Sequence, residues 1–259
     1  MTISNNWHLT LFQRSILKQQ KLKAISIFLG RTSGEKCLDI GGDNGIISYF
    51  LRKAGGEWTS ADLEDAAVCS IRALVQTNVY KIDGKSTPFG NNSFDTIVII
   101  DFLEHIHTDA LFMEELGRII KPGGKLIINV PYYSGKFSLL RTLKNTLKLT
   151  DEEHGHVRPG YDLDELGKLL NGKFEIEKNS TYIKFFSELI DIMIRFLSAR
   201  SEKNGGEKGT LITKETFEKK TGMFKLYSAI FPVLQLISKL DACLFFTKGA
   251  SLVIKAKPV

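Results

Sequence analysis

The chain has 259 residues, 43% of them hydrophobic and 25% charged, with a formal net charge of +6. That composition fills the core of one large domain or of a core domain with additions, and it excludes a wholly disordered chain. Three scattered cysteines, Cys37, Cys69 and Cys243, with no CxxC spacing argue against a disulfide framework or a zinc knuckle.

Residues 1–34 form a basic arm that contains Arg14, Lys18, Lys21, Lys23 and Arg31 and no acid. A second basic run, Lys136, Arg141, Lys144 and Lys148, precedes Asp151. Such runs suit a phosphate-bearing partner or a solvated helix face. The polar N-terminus lacks the apolar stretch of a signal peptide, so a cytoplasmic location is expected.

Short β-rich runs then alternate with helical ones. Strands are predicted at 36–40, 57–61, 79–82, 94–100, 124–130, 173–183 and 250–257. The helical pattern "DALFMEELGRII" at 109–120 is closed by "KPGG", where Pro and paired Gly turn the chain into the next strand. Alternation of this kind predicts an α/β fold: a Rossmann-like, seven-stranded, mostly parallel sheet with helices on both faces. The apolar run "TIVII" suits a strand buried on both sides.

Residues 184–249 break the alternation and read as a helical insertion between the last two strands. The expected organisation is an N-terminal helical arm (1–34), a core (35–183), the insertion or lid (184–249) and a final core strand (250–259). The insertion holds "LYSAIFPVLQLISKLDACLFF", 226–246, whose Pro232, Gln235, Lys239 and Asp241 interrupt it as a transmembrane span.

At the end of the first strand, "CLDIGGDNG" runs into a glycine turn. In an open α/β sheet, ligands bind beyond the carboxyl ends of the strands. Gly41 and Gly45 let backbone approach a ligand there. The dinucleotide spacing G-x-G-x-x-G is absent, which counts against NAD and against an oxidoreductase. Asp62, about twenty residues on in "TSADLED", can accept both hydroxyls of an adenosine ribose. Asp83, after the third strand, can receive an adenine amino hydrogen.

Together with "PFGNNSFD", "DFLEH" and "IKPGG", residues 36–131 closely resemble the class I S-adenosylmethionine-dependent methyltransferases of the small-molecule branch. By that resemblance, Asp39, Gly41, Gly42, Asp43 and Gly45 form the cradle for the methionine end of S-adenosyl-L-methionine. Asp62 with Leu63 would hold the ribose, Ile82 and Asp83 would flank the adenine, and Asp101 and Phe102 would line the cleft where the sulfonium meets the acceptor; S-adenosylhomocysteine would be the product. Asp43 departs from the family, which usually has glycine there, although Asp tolerates positive φ.

Four of the five histidines fall in two clusters, His105/His107 and His154/His156. The segment "HVRPGY" is similar to a substrate-side loop of related methyltransferases. His154 or His156 is the candidate general base for an oxygen acceptor, with Tyr132 and Tyr133 as pocket walls. No ligand spacing unites the two His-x-His pairs, so no metal is expected.

The expected function is methyl transfer to a small-molecule, glycan or lipid-linked acceptor. Helices 185–197 and 226–246 offer a peripheral membrane contact or a homodimer face. The alternatives are a non-catalytic binding module of the same fold and a nucleic-acid methyltransferase using the basic arm. The absence of an Asn-Pro-Pro-aromatic signature argues against nucleic acid as partner.

Overall fold

The computed structural model describes residues 7–133, 139–147, 149, 155–201 and 221–259. Two helices come first, α1 (Trp7–Gln13) and α2 (Ile16–Leu29). Then β1 (Lys36–Ile40), α3 (Ile46–Lys53), β2 (Glu57–Asp62), α4 (Asp65–Val75), β3 (Val79–Lys81) and β4 (Phe94–Ile100) alternate. A 3₁₀ turn (Leu103–His105), α5 (Asp109–Ile119), β5 (Ile120–Pro131), α6 (Leu139–Thr146), α7 (Leu163–Leu170) and β6 (Phe174–Tyr182) follow. Two long helices, α8 (Phe185–Ser201) and α9 (Thr221–Ser238), then a second 3₁₀ segment (Lys239–Leu244), precede β7 (Ser251–Pro258).

The strands form one seven-stranded sheet in the order β3-β2-β1-β4-β5-β7-β6. The first five pair in parallel, and β7 slots antiparallel between β5 and β6. The Rossmann-like arrangement expected from the alternation is the one found.

Strand β4 explains why the sheet is covered twice. Side chains alternate across a strand, and both sets here are apolar. Ile97 and Ile99 enter the core made with Phe112, Met113 and Leu116 of α5 and Leu166 and Leu170 of α7. Val98 and Ile100 enter the core on the opposite face, with Ile25 and Leu29 of α2 and Ile46, Ile47 and Leu51 of α3. Removing a side chain from such a double-sided strand costs about 2–5 kcal/mol for Ile→Ala.

The predicted turn at "KPGG" differs in detail. The strand already begins at Ile120, because Ile120 pairs with Phe94 before a register shift brings Lys125 opposite Thr96. Helix α7 starts on the capping box legible in "DLDE": Asp162 accepts the Glu165 N–H at 2.8 Å, and the Glu165 carboxylate accepts the Asp162 N–H at 2.9 Å.

Helices α8 and α9 pack on each other through Ile190 and Phe231, and the same cluster takes in Ile16 of α2. Asp241 is buried and caps α8 from a distance, accepting the N–H groups of Phe186 (2.8 Å) and Ser187 (3.2 Å).

Candidate cofactor and acceptor site

The carboxyl ends of β1, β2 and β4 meet at the glycine turn. Gly41 (φ +85°) must be glycine, because a Cβ there would lie 2.1 Å from the Ile100 carbonyl oxygen. Gly45 (φ +81°) packs so closely on α4 that a Cβ would lie 2.8 Å from Ile71 Cα. Between them the Gly45 N–H donates to Gly42 O at 2.8 Å, closing a tight turn. Asp43 sits in the left-handed region (φ +51°) and is exposed.

Asp39 lies beneath this turn and is fully buried. Its carboxylate accepts hydrogen bonds from Ser48 Oγ, Ser60 Oγ (2.7 Å) and Arg52 Nη1 (3.3 Å). Burial raises its pKa, against the pull of Arg52 and the two hydroxyls. The residue expected at the cradle surface therefore braces the turn from below, by joining β1, β2 and α3.

Asp62 closes β2. It is 7% exposed, and its Oδ1 accepts the N–H of Leu63 at 2.8 Å and that of Glu64 at 3.4 Å. Oδ2 takes only a long bond, 3.4 Å, from the Asp43 N–H, which leaves it acceptor capacity. Burial pushes the carboxyl up to about 6, despite the backbone N–H groups that favour its charge. Beside it Leu63, Ile82 and Ile106 form an apolar wall so tight that a Cβ at Gly84 would lie 2.7 Å from Ile106 Cγ2.

Asp83 is spent locally: it is exposed in solvent and accepts the N–H groups of Lys85 (2.9 Å) and Ser86 (2.8 Å), and these hold its pKa below the usual range. Phe102 likewise departs from expectation. Its ring is 2% exposed and stacks 5.0 Å from Phe112, so it belongs to the core and not to the cleft wall.

Asp101 anchors a polar relay. Its backbone is left-handed (φ +43°), its Oδ1 accepts Asn129 Nδ2 at 2.7 Å, and its Oδ2 pairs with Lys21 Nζ of α2. Tyr182 Oη donates to Asn129 Oδ1 at 2.5 Å. Burial works against the charge on Lys21, but Asp101 and Tyr182 outweigh it and keep the ammonium protonated. Lys18 reaches the same turn and pairs with Asp43. Sequence reasoning missed both lysines as site residues, although their helical spacing of three was a usable signal.

On the acceptor side, the segment 155–161 is clamped to the end of β4. The Val157 N–H donates to Glu104 O at 2.8 Å, Arg158 pairs with Asp109 at 3.2 Å, and buried Tyr161 donates to Asp109 at 2.9 Å. This brings the His156 ring to 4.7 Å from that of His105, edge to face. The two His-x-His segments, which no spacing in the sequence united, thus meet in space. His154 lies outside the described residues. Tyr132 accepts Lys248 Nζ at 2.8 Å, and Tyr133 lies under the Arg141 guanidinium at 4.0 Å.

The buried Asp62 carboxylate and the apolar wall beside it suit the ribose and the adenine of an adenosyl amino acid, and the glycine turn lets backbone approach its other end. Residues 38–128 match the family model described as a methyltransferase domain. The demethylmenaquinone methyltransferase of Corynebacterium glutamicum is 31% identical over 97 residues, 37% of this chain and 41% of that one. The ubiquinone biosynthesis O-methyltransferase of Colwellia psychrerythraea is 31% identical over 134 residues, 47% of this chain and 54% of that one. The chain thus spans about half the length of these relatives or less. Phosphoethanolamine N-methyltransferase 2 of Haemonchus contortus, solved in complex with S-adenosyl-L-methionine, shares the fold with a TM-score of 0.54 and 19% identity, over 92% of this chain and 52% of that one. Residues 38–128 thus form a methyltransferase domain, and the chain is similar there to S-adenosylmethionine-dependent methyltransferases.

Proposed function

We propose that this protein methylates an oxygen of a lipid-linked, quinone-type aromatic acceptor while resting on the cytoplasmic face of a membrane. The observation that carries the lipid part is α9. Leu226, Ile230, Val233, Ile237 and Leu240 recur at helical spacing and are all exposed, as are Phe245 (84%) and Phe246 (73%) just beyond. A neighbouring face of α9, with Tyr227, Phe231 and Leu234, is already used against Ile16 and Ile190.

A stripe of this size, left in water, marks an interaction surface. The described charges from 221 to 249 are the exposed Lys225, Lys239 and Lys248 and the buried Asp241. That balance suits anionic lipid better than a second, equally basic copy. Phe224–Leu244 is long and apolar enough by composition to cross a membrane. Its inner contacts and the Asp241 cap on α8 favour a helix lying on the bilayer. The relatives named for demethylmenaquinone and ubiquinone support an acceptor of matching chemistry.

In the transfer, S-adenosylmethionine supplies a methyl group on a sulfonium. An acceptor oxygen forms the new bond to carbon as the S–C bond breaks and its electrons return to sulfur. Asp62 would fix the ribose, Asp101 would put negative charge near the sulfonium, and the His105–His156 pair would handle the acceptor's proton. The basic arm offers little to nucleic acid: Lys18 and Lys21 face Asp43 and Asp101, and Arg14 lies over Phe231 at 5.3 Å.

The test is transfer of radiolabelled methyl to vesicle-embedded prenylated dihydroxy-aromatics and to their chain-free analogues. Transfer at least about tenfold faster to the prenylated forms supports the reading. Equal rates would remove the lipid part, and no transfer to either would remove the acceptor class.

A further inference from the structure

The site Glu104, His105 and His156 reads as more than a proton relay. One ligand-type atom from each lies within 4.8 Å of those from the other two. Glu104 is fully buried, and both imidazoles are partly exposed, so the trio has an enclosed carboxylate and an open side.

Its orientation is fixed from outside. His105 Nδ1 stands 3.3 Å from the Gly155 carbonyl oxygen, an acceptor only, so that nitrogen carries the hydrogen and Nε2 keeps its lone pair. A histidine held this way by a backbone carbonyl is oriented as metal-bound histidines are. The Val157-to-Glu104 backbone bond, the Arg158–Asp109 pair and the Tyr161 bond to Leu103 O (3.2 Å) lock the segment that carries His156. Three anchors hold two imidazoles and one carboxylate in a cluster that spans fifty-two residues of sequence from Glu104 to His156.

We propose that Glu104, His105 and His156 form a three-ligand site for a divalent first-row transition cation. Two nitrogens and one carboxylate oxygen suit zinc, manganese or iron(II) better than magnesium, which prefers oxygen ligands. Three protein ligands leave coordination positions open toward the partly exposed side. The cation site stands on this geometry alone. Its use in catalysis rests on the proposed transfer: an acceptor hydroxyl bound at an open position would lose its proton more readily, the proton passing to solvent, and the imidazoles would then be ligands and not bases.

The test uses the untagged full chain, freed of metal by chelator and dialysis. Manganese(II) binding is followed by loss of the free-ion electron paramagnetic resonance signal, with zinc(II) as competitor and cobalt(II) absorption as a report on nitrogen ligation. One equivalent is expected to bind. The affinity should fall at least about tenfold in His105→Ala and in His156→Ala, the range for disturbing a metal shell. His107→Ala, exposed and outside the trio, should bind as the parent does. Because buried Glu104→Gln is the variant that could fail to fold, the two histidine variants carry the test, with circular dichroism and S-adenosylmethionine affinity as checks on folding. No stoichiometric binding of any of the three ions, or binding unchanged in both variants, overturns the site. Binding without any effect on methyl transfer would leave the site and overturn its catalytic use, separately from the acceptor reading.

Discussion

Lys18 Nζ stands 3.0 Å from Asp43 Oδ2, joining the second helix of the basic arm to the middle of the glycine turn. Position 43 is where the family usually carries glycine, and its left-handed backbone explains why. Aspartate is among the few residues that tolerate that region, and here its side chain secures the arm over the turn.

The Asp43 side chain is half exposed, so the pair is worth only about 0.2–1 kcal/mol. Asp43→Asn should therefore leave global stability nearly unchanged while speeding amide exchange in α2 by up to about fivefold. Lys18→Met should speed exchange to the same extent, and adding it to Asp43→Asn should change little more. If exchange in α2 is indifferent to Asp43→Asn, this pair does not hold the arm, which then rests on Ile16, Ile25, Leu29 and the Lys21–Asp101 pair.

Asp62 gives a prediction with a sign. Its folded pKa is raised to about 6 by burial, above the unfolded value near 3.9. The charged carboxylate is the better acceptor for ribose hydroxyls, so cofactor affinity should weaken as pH falls through about 6. Folding stability from this group runs the other way: ionised Asp62 costs stability above pH 6, and that cost disappears as the pH approaches 4. Asp62→Asn should flatten both profiles, and Asp62→Ala should weaken cofactor binding by about 1–3 kcal/mol. Calorimetric titration between pH 5 and 8 reads the first effect, and urea unfolding reads the second. A pH-independent affinity in the parent would remove Asp62 from the ribose.

The relay from Lys21 through Asp101 and Asn129 to Tyr182 crosses from α2 to β6. Lys21→Met should cost about 1–3 kcal/mol, because Asp101 keeps its place with one partner fewer. Tyr182→Phe should cost about 0.5–1.5 kcal/mol. Unfolding midpoints in urea would measure both, and the double variant should lose less than the sum if the relay acts as a unit. Strict additivity would make these separate contacts.

Much of the fold was legible because the signals were local. The alternation of Leu38, Ile40, Ile97 and Ile99 with residues of the opposite face is a period-two pattern, and each predicted strand has its counterpart in the sheet. What was hidden lay in long-range contacts. Lys21 and Asp101 are eighty residues apart, and nothing in "KQQKLK" says which carboxylate it meets. His105 and His156 converge only because Arg158 and Tyr161 tie their segment to Asp109. Conversely, the motif position of Asp39 suggested contact with ligand, whereas its three partners lie inside the protein. A motif marks where the chain turns; burial decides which of its side chains face the cleft.

The exposed stripe on α9 leads to the last prediction. Each fully buried Phe contributes about 1.5–3 kcal/mol on leaving water, so Phe245 and Phe246 are the strongest apolar anchors at the tip of the stripe. The wild-type protein should co-sediment with vesicles that contain anionic lipid, and more weakly with neutral ones, since Lys225, Lys239 and Lys248 add an attraction that salt screens. Replacing both phenylalanines by serine should lower the partition coefficient at least about tenfold without changing the unfolding midpoint, because neither side chain is buried in the protein. Leu236, 66% exposed on α9 beside the stripe, offers a second test: Leu236→Glu should act in the same direction by placing an acid toward the lipid. A parent protein that stays in solution with every vesicle, while sedimenting as a dimer that Leu236→Glu dissociates, would instead make the stripe a contact between copies of this chain.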